Sequence, residues 1–308
     1  MQNHPIWLIY NPAAANGRTR RSAPRVAMAL RAAGYTVEVV ATAGPGLAAG
    51  QVRAALLAGV ETVAVLGGDG TLHEVVNGFV TDGRPTRPDA RLVILSAGTG
   101  GDFARTLGLP RDPVAGVHTL AQAQPRTLDL GLVTCVGFDG QPRTEAFINM
   151  ADVGLAGDVV SRVNNTTKVF GGFASFLAGT LISLAKAVPK NLTLQIDDDP
   201  PLSGRFVMVN IANGRYFGGG MEVCPPGDPS DGLLDLITLG DYSRPQLYRA
   251  FPRVYQGTHL ALPGIEHRRC TSVRITADRP AWVEADGELL GTTSLTATIL
   301  PQALTVLV

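Results

Sequence analysis

Sulfur chemistry is nearly missing from this chain: Cys135, Cys224 and Cys270 are its three cysteines, far apart and without a CxxC pair. An odd count at such spacing excludes a closed disulfide framework and a cysteine zinc site, so free thiols in a reducing cytosol are expected. An excess of one charge is also missing. Lys and Arg number 26, Asp and Glu 26, for a formal net charge of zero. That balance argues against nucleic acid as the main partner. The N-terminus lacks a signal peptide: Ile6–Tyr10 has no basic flank and is too short for an apolar core, so it is expected as the first strand. The uncharged run Val169–Ala185, between Lys168 and Lys186, is borderline for a bilayer span. Phe173, Phe176, Leu177, Leu181 and Leu184 share one helical face there, while Ser175, Gly179 and Ser183 dilute the others. An amphipathic core helix over Val169–Val188 is therefore expected, with an interfacial role left open. The chain has no Gly-Lys-Ser/Thr phosphate loop and no GxGxxG, which removes the P-loop and Rossmann dinucleotide classes.

At 308 residues the chain suits two domains, and a globule of this size buries roughly 75% of its unfolded surface. Its first part alternates strands and helices. Ile6–Tyr10, Tyr35–Val40, Glu61–Leu66 and Arg91–Ser96 are expected strands; helices run to about Ala33, over Leu47–Ala58 and over Leu72–Val80. Near-continuous apolar strands of this kind imply a parallel sheet covered on both faces. From about Asp129 the texture changes to short strands between Gly, Pro and Asp turns. Ala146–Met150, Leu192–Ile196, Phe206–Ile211, Leu233–Ile237, Val273–Thr276 and Ala281–Glu284 are the clearest, and they imply an antiparallel β domain.

The chain is organised around Val65-Leu-Gly-Gly-Asp-Gly-Thr-Leu72. A strand runs into three glycines around Asp69, and Leu72, Val75, Val76 and Phe79 then recur at helical spacing. Thr71 and Glu74 have the form of a capping box that starts the helix. Glycines let a backbone approach an anion, and helix-start N–H groups point at it; an acidic tip fits if a phosphate-bound Mg²⁺ lies between. A plain tight turn remains the alternative on spacing alone. Ser96-Ala-Gly-Thr-Gly-Gly-Asp102 repeats the arrangement, and two such turns at strand carboxyl ends would meet at one crevice. A third feature is Glu284-Ala-Asp-Gly-Glu288. Alternation places Glu284 and Asp286 on one strand face, and crowded acids raise one pKa toward the range of a base.

Gly67-Gly-Asp-Gly-Thr71 resembles the GGDGT signature of diacylglycerol kinase-type lipid kinases, sphingosine kinases and NAD kinases. Gly98–Arg105 resembles the lipid kinases' GTxNDFAR motif, with Gly101 in place of Asn. Asn149 with Gly154–Gly157, Asn213–Gly220 leading to Pro225, and Pro229–Asp235 resemble further lipid-kinase stretches; Asp286-Gly-Glu288 resembles the bacterial DGE motif. The resemblance spans nearly the whole chain.

The resemblance implies an α/β N-terminal domain of the diacylglycerol kinase and NAD kinase type, over residues 1–128 and completed by 293–308. A mainly antiparallel, β-sandwich-like substrate domain covers 129–292. It implies ATP held by Asn11, Pro12, Thr42, Leu66, Gly67, Gly68, Asp69, Gly70, Thr71, Leu72, Thr99 and Asp102, with Asp69 reaching Mg²⁺. Glu288 becomes the proton acceptor, with Asp286 beside it and Asp69 as the third catalytic residue. A structural Mg²⁺ is implied at the Asp231 side chain and the carbonyls of Asp228 and Leu233. The function implied is phosphorylation of a lipid hydroxyl, diacylglycerol or a related lipid, by a cytoplasmic protein that reaches membranes peripherally. Arg18–Arg21 and His267–Arg269 are candidate contacts, and a homodimer is left open. NAD kinase is the runner-up, although the chain lacks that branch's Asn-Glu pair; phosphofructokinase is disfavoured by the absence of a GTIDND motif. A non-catalytic nucleotide or lipid binder on the same fold stands as the alternative from another class.

Overall fold

The computed structural model describes residues 5–97, 100–155, 157–160 and 172–308, with the backbone alone from 172 to 178. The chain divides into two compact units, Met1–Leu130 with Leu300–Val308, and Gly131–Ile299.

In the first unit, β1 (Ile6–Tyr10), α1 (Ala14–Ala32), β2 (Val37–Ala41), α2 (Ala48–Leu57), β3 (Thr62–Gly67) and α3 (Asp69–Phe79) alternate. The two-residue strands β4 (Val80–Thr81) and β5 (Arg84–Pro85) form a small hairpin before β6 (Arg91–Ser96), α4 (Asp102–Thr106) and α5 (Pro113–Leu120). Strands β2, β1, β3 and β6 pair in that order, all parallel, and Thr305 and Val306 of the returning chain pair with β6. All six residues of β3 are buried, as a strand covered on both faces requires. Ala64 and Leu66 pack with Leu8, with Val26 and Leu30 of α1 and with Val117 of α5, each buried Leu or Val contributing about 1.5–3 kcal/mol.

The expected capping box at Thr71 does not form. Helix α3 starts two residues earlier, at Asp69, with Gly68 as an N-cap that makes no side-chain bond. Thr71 is buried, and Glu74 Oε2 accepts the N–H of Ala48 at 3.0 Å, so the glutamate caps the start of α2 instead of its own helix.

The second unit contains β7 (Pro125–Gly137, entered from the first), β8 (Pro142–Phe147), β9 (Met150–Gly154), α6 (Gly172–Lys186), β10 (Lys190–Ile196), β11 (Leu202–Phe206), β12 (Met208–Ala212) and β13 (Leu234–Leu239). Helix α7 (Arg244–Val254) and strands β14 (Ile265–Cys270), β15 (Ser272–Ala277), β16 (Trp282–Ala285) and β17 (Glu288–Leu307) complete it. One antiparallel series runs β14-β13-β12-β9-β16-β17; β10 pairs with β11 and β15, and β15 with β17. Val153, Val209, Ile211, Leu236 and Val283 face a core shared with Leu194 and Ile275. The opposite face of β9 and β12, carrying Asp152 and Asn210, is therefore available for other work.

Three expectations are corrected. Ala146–Met150 is not one strand: β8 ends at Phe147, β9 starts at Met150, and Ile148 and Asn149 turn between them. Phe206–Ile211 breaks at Val207, whose N–H goes to Leu239 O. On α6 the buried positions are Thr180, Ser183 and Leu184, with Ala187 just beyond, while Leu181 and Ile182 are exposed. Of the expected apolar face, Leu184 is buried and Leu181 exposed, so the buried stripe among the described side chains is turned toward Thr180 and Ser183. Phe173, Phe176 and Leu177 have side chains outside the described residues.

Candidate active site

The carboxyl ends of β1, β2, β3 and β6 are level: Tyr10 is in register with Ala41 and Leu66, and Gly67 with Ser96. Asn11, Thr42, Gly68 and Ala97 therefore leave the sheet at one edge, where open parallel sheets place their ligands. Thr42 N–H donates to Tyr10 O at 2.9 Å. Asn11 Oδ1 accepts the N–H of Ala13 at 2.9 Å, and its carbonyl accepts the Thr19 hydroxyl, so this residue shapes the loop that Pro12 continues. Ala15, Asn16 and Gly17 all hold left-handed backbone, with φ of 51°, 55° and 78°. Regular helix in α1 begins only beyond them.

Leu66 and Gly67 close β3, and Gly70 and Thr71 lie in the first turn of α3, where N–H groups have no partner within the helix, while Leu72 N–H donates to Gly68 O at 3.0 Å. Asp69 reaches across to the second turn: Oδ2 accepts Gly101 N–H and Oδ1 accepts Asp102 N–H, each at 2.9 Å. A Cβ on Gly100 would stand 2.6 Å from Asp69 Oδ2, so the approach requires glycine. Gly101 has φ 61° and ψ 41°, the left-handed region that Gly and Asn favour. That shared preference accounts physically for glycine at a position where the resembling motif carries asparagine. A small open crevice is lined by Gly68, Asp69, Ser96 and Gly101. Asp102, buried at the start of α4, also lies close, its Oδ2 3.8 Å from that Gly100 Cβ position. Mg²⁺ takes one or two protein carboxylates beside substrate phosphates, a share that Asp69 and Asp102 could supply. Gly98 and Thr99 lie outside the described residues.

In the second unit the acids separate. Strand β16 ends at Ala285; Asp286 and Gly287 have φ of 50° and 89° and form a two-residue hairpin turn, with Glu288 opposite Ala285. Asp286 therefore leaves the strand, and the expected shared face with Glu284 does not arise. Its carboxylate turns inward: Oδ2 accepts Ile148 N–H at 3.0 Å, and Oδ1 accepts Asn149 and Met150 N–H at 2.9 and 3.1 Å. It positions the turn between β8 and β9. Glu284 is fully buried and its Oε2 accepts Gly287 N–H at 2.8 Å. Glu288 is the exposed member of the three. The glycine-rich stretch is pinned to the same place, because Asn149 Nδ2 donates to Tyr216 O and Asn213 Nδ2 to Ile148 O at 2.7 Å.

Asp152 and Asn210 were not anticipated from the sequence. Glu284, Asp152 and Asn210 are register partners across β16, β9 and β12, and all three are buried. The available signal was a single polar residue inside each apolar segment. Asn210 borders an apolar cavity of about 110 Å³ that opens to solvent. Strands β12 and β13 supply one wall through Met208 and Ile237, and α6 and α7 another through Leu184 and Phe251. Met150 joins the cavity wall to the acidic hairpin: its N–H donates to Asp286, and its sulfur accepts from Asn210 Nδ2 at 3.5 Å.

The Asp231 turn carries its own cation. Arg269 bonds Asp231 Oδ2, Asp231 Oδ1 accepts Leu233 N–H at 3.1 Å, and Asp228 Oδ1 accepts the Ser230 N–H and hydroxyl. Among the described residues no cluster of three or more His, Cys, Asp or Glu could hold a metal. With Arg269 on Oδ2 and the Leu233 N–H on Oδ1, the turn carries its own countercharge, which a Mg²⁺ held by the Asp231 side chain and the Asp228 and Leu233 carbonyls would have to displace. All three thiols are free and buried; burial pushes Cys270 up to about 12 and raises Cys135 and Cys224 as well. None is placed to act as a nucleophile. No helix among the described residues is long and apolar enough to cross a membrane.

A GGDGT turn bonded to a second glycine turn, in a parallel α/β unit continued by an antiparallel β unit, is a kinase-class architecture. Residues 5–133 match the family model of the diacylglycerol kinase catalytic domain, and residues 149–308 that of the YegS C-terminal NAD kinase beta sandwich-like domain. The chain belongs to this family of diacylglycerol kinase-like lipid kinases. It is 29% identical over 303 residues to a diacylglycerol kinase of Mycobacterium tuberculosis, covering 98% of this chain and 94% of the relative. It is 34% identical over 281 residues to a probable YegS-like lipid kinase of Pseudomonas fluorescens, covering 90% and 87%. The crystal structure of a putative diacylglycerol kinase from Bacillus anthracis shares the fold, with a TM-score of 0.78 at 22% identity over 99% of this chain and 97% of that one.

Proposed function

We propose that this chain is an ATP-dependent lipid kinase that transfers the γ-phosphate to a hydroxyl of diacylglycerol or a related lipid. The observation that carries the reading is the apolar cavity joined through Met150 to the Asp286 hairpin. A lipid chain seated there lies on the sheet that continues from β12 through β9 and β16 to the hairpin of Glu288. The Asn11 loop, Thr42, Thr99 and the Gly67–Leu72 turn bind the nucleotide, and Asp69 with Asp102 holds Mg²⁺. When bound, that ion neutralises charge on the transferred phosphoryl, which needs positioning and electrostatics more than covalent help. Glu288 accepts the proton of the lipid hydroxyl, a role worth about 10²–10⁴-fold. Asp286 keeps Glu288 in place by fixing the hairpin. The lipid is met at a membrane surface by peripheral contact.

The test is transfer of labelled γ-phosphate from ATP to a panel of glycerolipids and sphingoid bases in mixed micelles, with NAD as a parallel acceptor. Labelled lipid is expected, and Glu288→Gln should lower kcat by 10²-fold or more with an unchanged melting temperature. Tight nucleotide binding without transfer to any lipid would favour the non-catalytic binder; labelling of NAD alone would favour the NAD kinase branch.

A further inference from the structure

Two polar side chains in the wall of the apolar cavity have hydrogen-bonding capacity that the protein leaves unused. Asn210 is 2% exposed; its Nδ2 donates to Met150 Sδ, and Oδ1 has no partner. A thioether offers no proton, so the amide orientation is fixed: nitrogen toward sulfur, oxygen away. His259 is 4% exposed, and its Nε2 lies 3.0 Å from the carbonyl of Val223. A carbonyl only accepts, so Nε2 carries the proton. Burial disfavours the charged ring, and Nδ1, which also has no partner, is left as a bare acceptor. Both residues line the one cavity, among aliphatic, aromatic and thioether groups and the hydroxyl-bearing Thr180.

A plain hydrocarbon chain would bury these two acceptors unsatisfied, which is costly for each. A chain carrying one hydroxyl would satisfy one of them. We propose that the cavity takes a long alkyl chain bearing a mid-chain hydroxyl, which donates to Asn210 Oδ1 or His259 Nδ1. The reading rests on the lipid-kinase assignment only for its claim on substrate; the ligand chemistry follows from the wall. Such a chain has two sources, the acyl group of the lipid that is phosphorylated or a free hydroxy fatty acid.

The experiment titrates the full chain, without nucleotide, with stearate and with a mid-chain hydroxystearate, reading Kd by calorimetry. The hydroxylated chain is expected to bind about 10-fold tighter, one well-made hydrogen bond's worth. Equal affinities, or tighter binding of stearate, would overturn the proposal and mean that water serves the two acceptors. Of the separate Asn210→Leu and His259→Phe variants, the one that removes the acceptor used by the hydroxyl should narrow the preference, chiefly by improving stearate binding; a preference unmoved by both would also overturn it. The wild-type comparison stands even if one variant fails to fold. A second arm compares kcat/KM for diacylglycerols that differ by the same hydroxyl. A parallel preference makes the acceptor lipid the source; a preference seen with the free acids alone makes the cavity a separate fatty-acid site. If no lipid is phosphorylated at all, the kinase reading falls while the binding comparison still decides the cavity.

Discussion

Asp69 Oδ2 accepts the backbone N–H of Gly101 at 2.9 Å, so two glycine turns separated by some thirty residues form one structure. The acid in the first turn is the N-terminal anchor of the helix in the second, with Asp102 N–H held by its other oxygen. A carboxylate at a helix start also complements the positive end of the helix dipole. The edge where the two turns meet is therefore held in place by Asp69 from within the protein.

Replacing Asp69 by Asn tests this. One carboxylate oxygen becomes an NH₂ group facing a backbone N–H, and a buried donor left without an acceptor costs about 1–3 kcal/mol. Asp69→Asn should lower the melting temperature by several degrees without nucleotide and cut turnover to near background. An unchanged melting temperature would remove the anchoring role and leave only a role toward the nucleotide.

Asp286 and Glu288 should separate in the same kind of measurement. Asp286→Ala strands three buried N–H groups, on Ile148, Asn149 and Met150, for a loss of at least about 3 kcal/mol. Its melting temperature should fall by roughly 6 °C or more, and Asp286→Asn should recover part of that by keeping one acceptor oxygen. Glu288→Gln, at an exposed position, should melt with the wild type. If Asp286→Ala melts normally and only loses activity, Asp286 touches the reaction itself.

The parallel half of the fold was legible because its strands are continuous apolar runs punctuated by glycine, and Arg91–Ser96 emerged with its expected bounds. Motif residues were legible as places, less so as roles. Thr71 and Glu74 have capping-box spacing, but tertiary packing sends Glu74 to the start of α2. Glu284 and Asp286 have strand spacing, but the left-handed turn at Asp286 ends the alternation. Asp152 and Asn210 showed only as lone polar residues inside apolar segments; that they adjoin Glu284 lies in register across three strands, which no local pattern carries. Arg269 was read as part of a surface cluster; only the fold brings it to Asp231.

That pair yields a metal prediction. Without nucleotide, wild-type protein should melt at one temperature in EDTA and in millimolar Mg²⁺, because the guanidinium occupies the Asp231 carboxylate. Arg269→Ala should uncover the turn, and its melting temperature should then rise with added Mg²⁺. Stabilisation of the wild type by Mg²⁺ that disappears in Asp231→Asn would show that the ion competes successfully with Arg269.

Stability should also depend on pH through His259. Burial lowers its pKa below the ordinary 6.5, against smaller opposing effects of the Val223 carbonyl and the Glu222 carboxylate. The unfolded chain therefore binds the proton more readily than the folded one, and stability rises with pH across that interval. The contribution is complete above about pH 6.5 and is lost as the pH falls through the lower folded value. Melting curves between pH 7.5 and 5 (about neutral to the acid side of a free imidazole) should thus fall more steeply for wild type than for His259→Phe, with the gap widening toward acid. The comparison isolates His259 because every other titrating group is common to both proteins. Parallel curves would mean that the ring is solvated in the folded state, and with that the bare Nδ1 acceptor in the cavity wall would be lost as well.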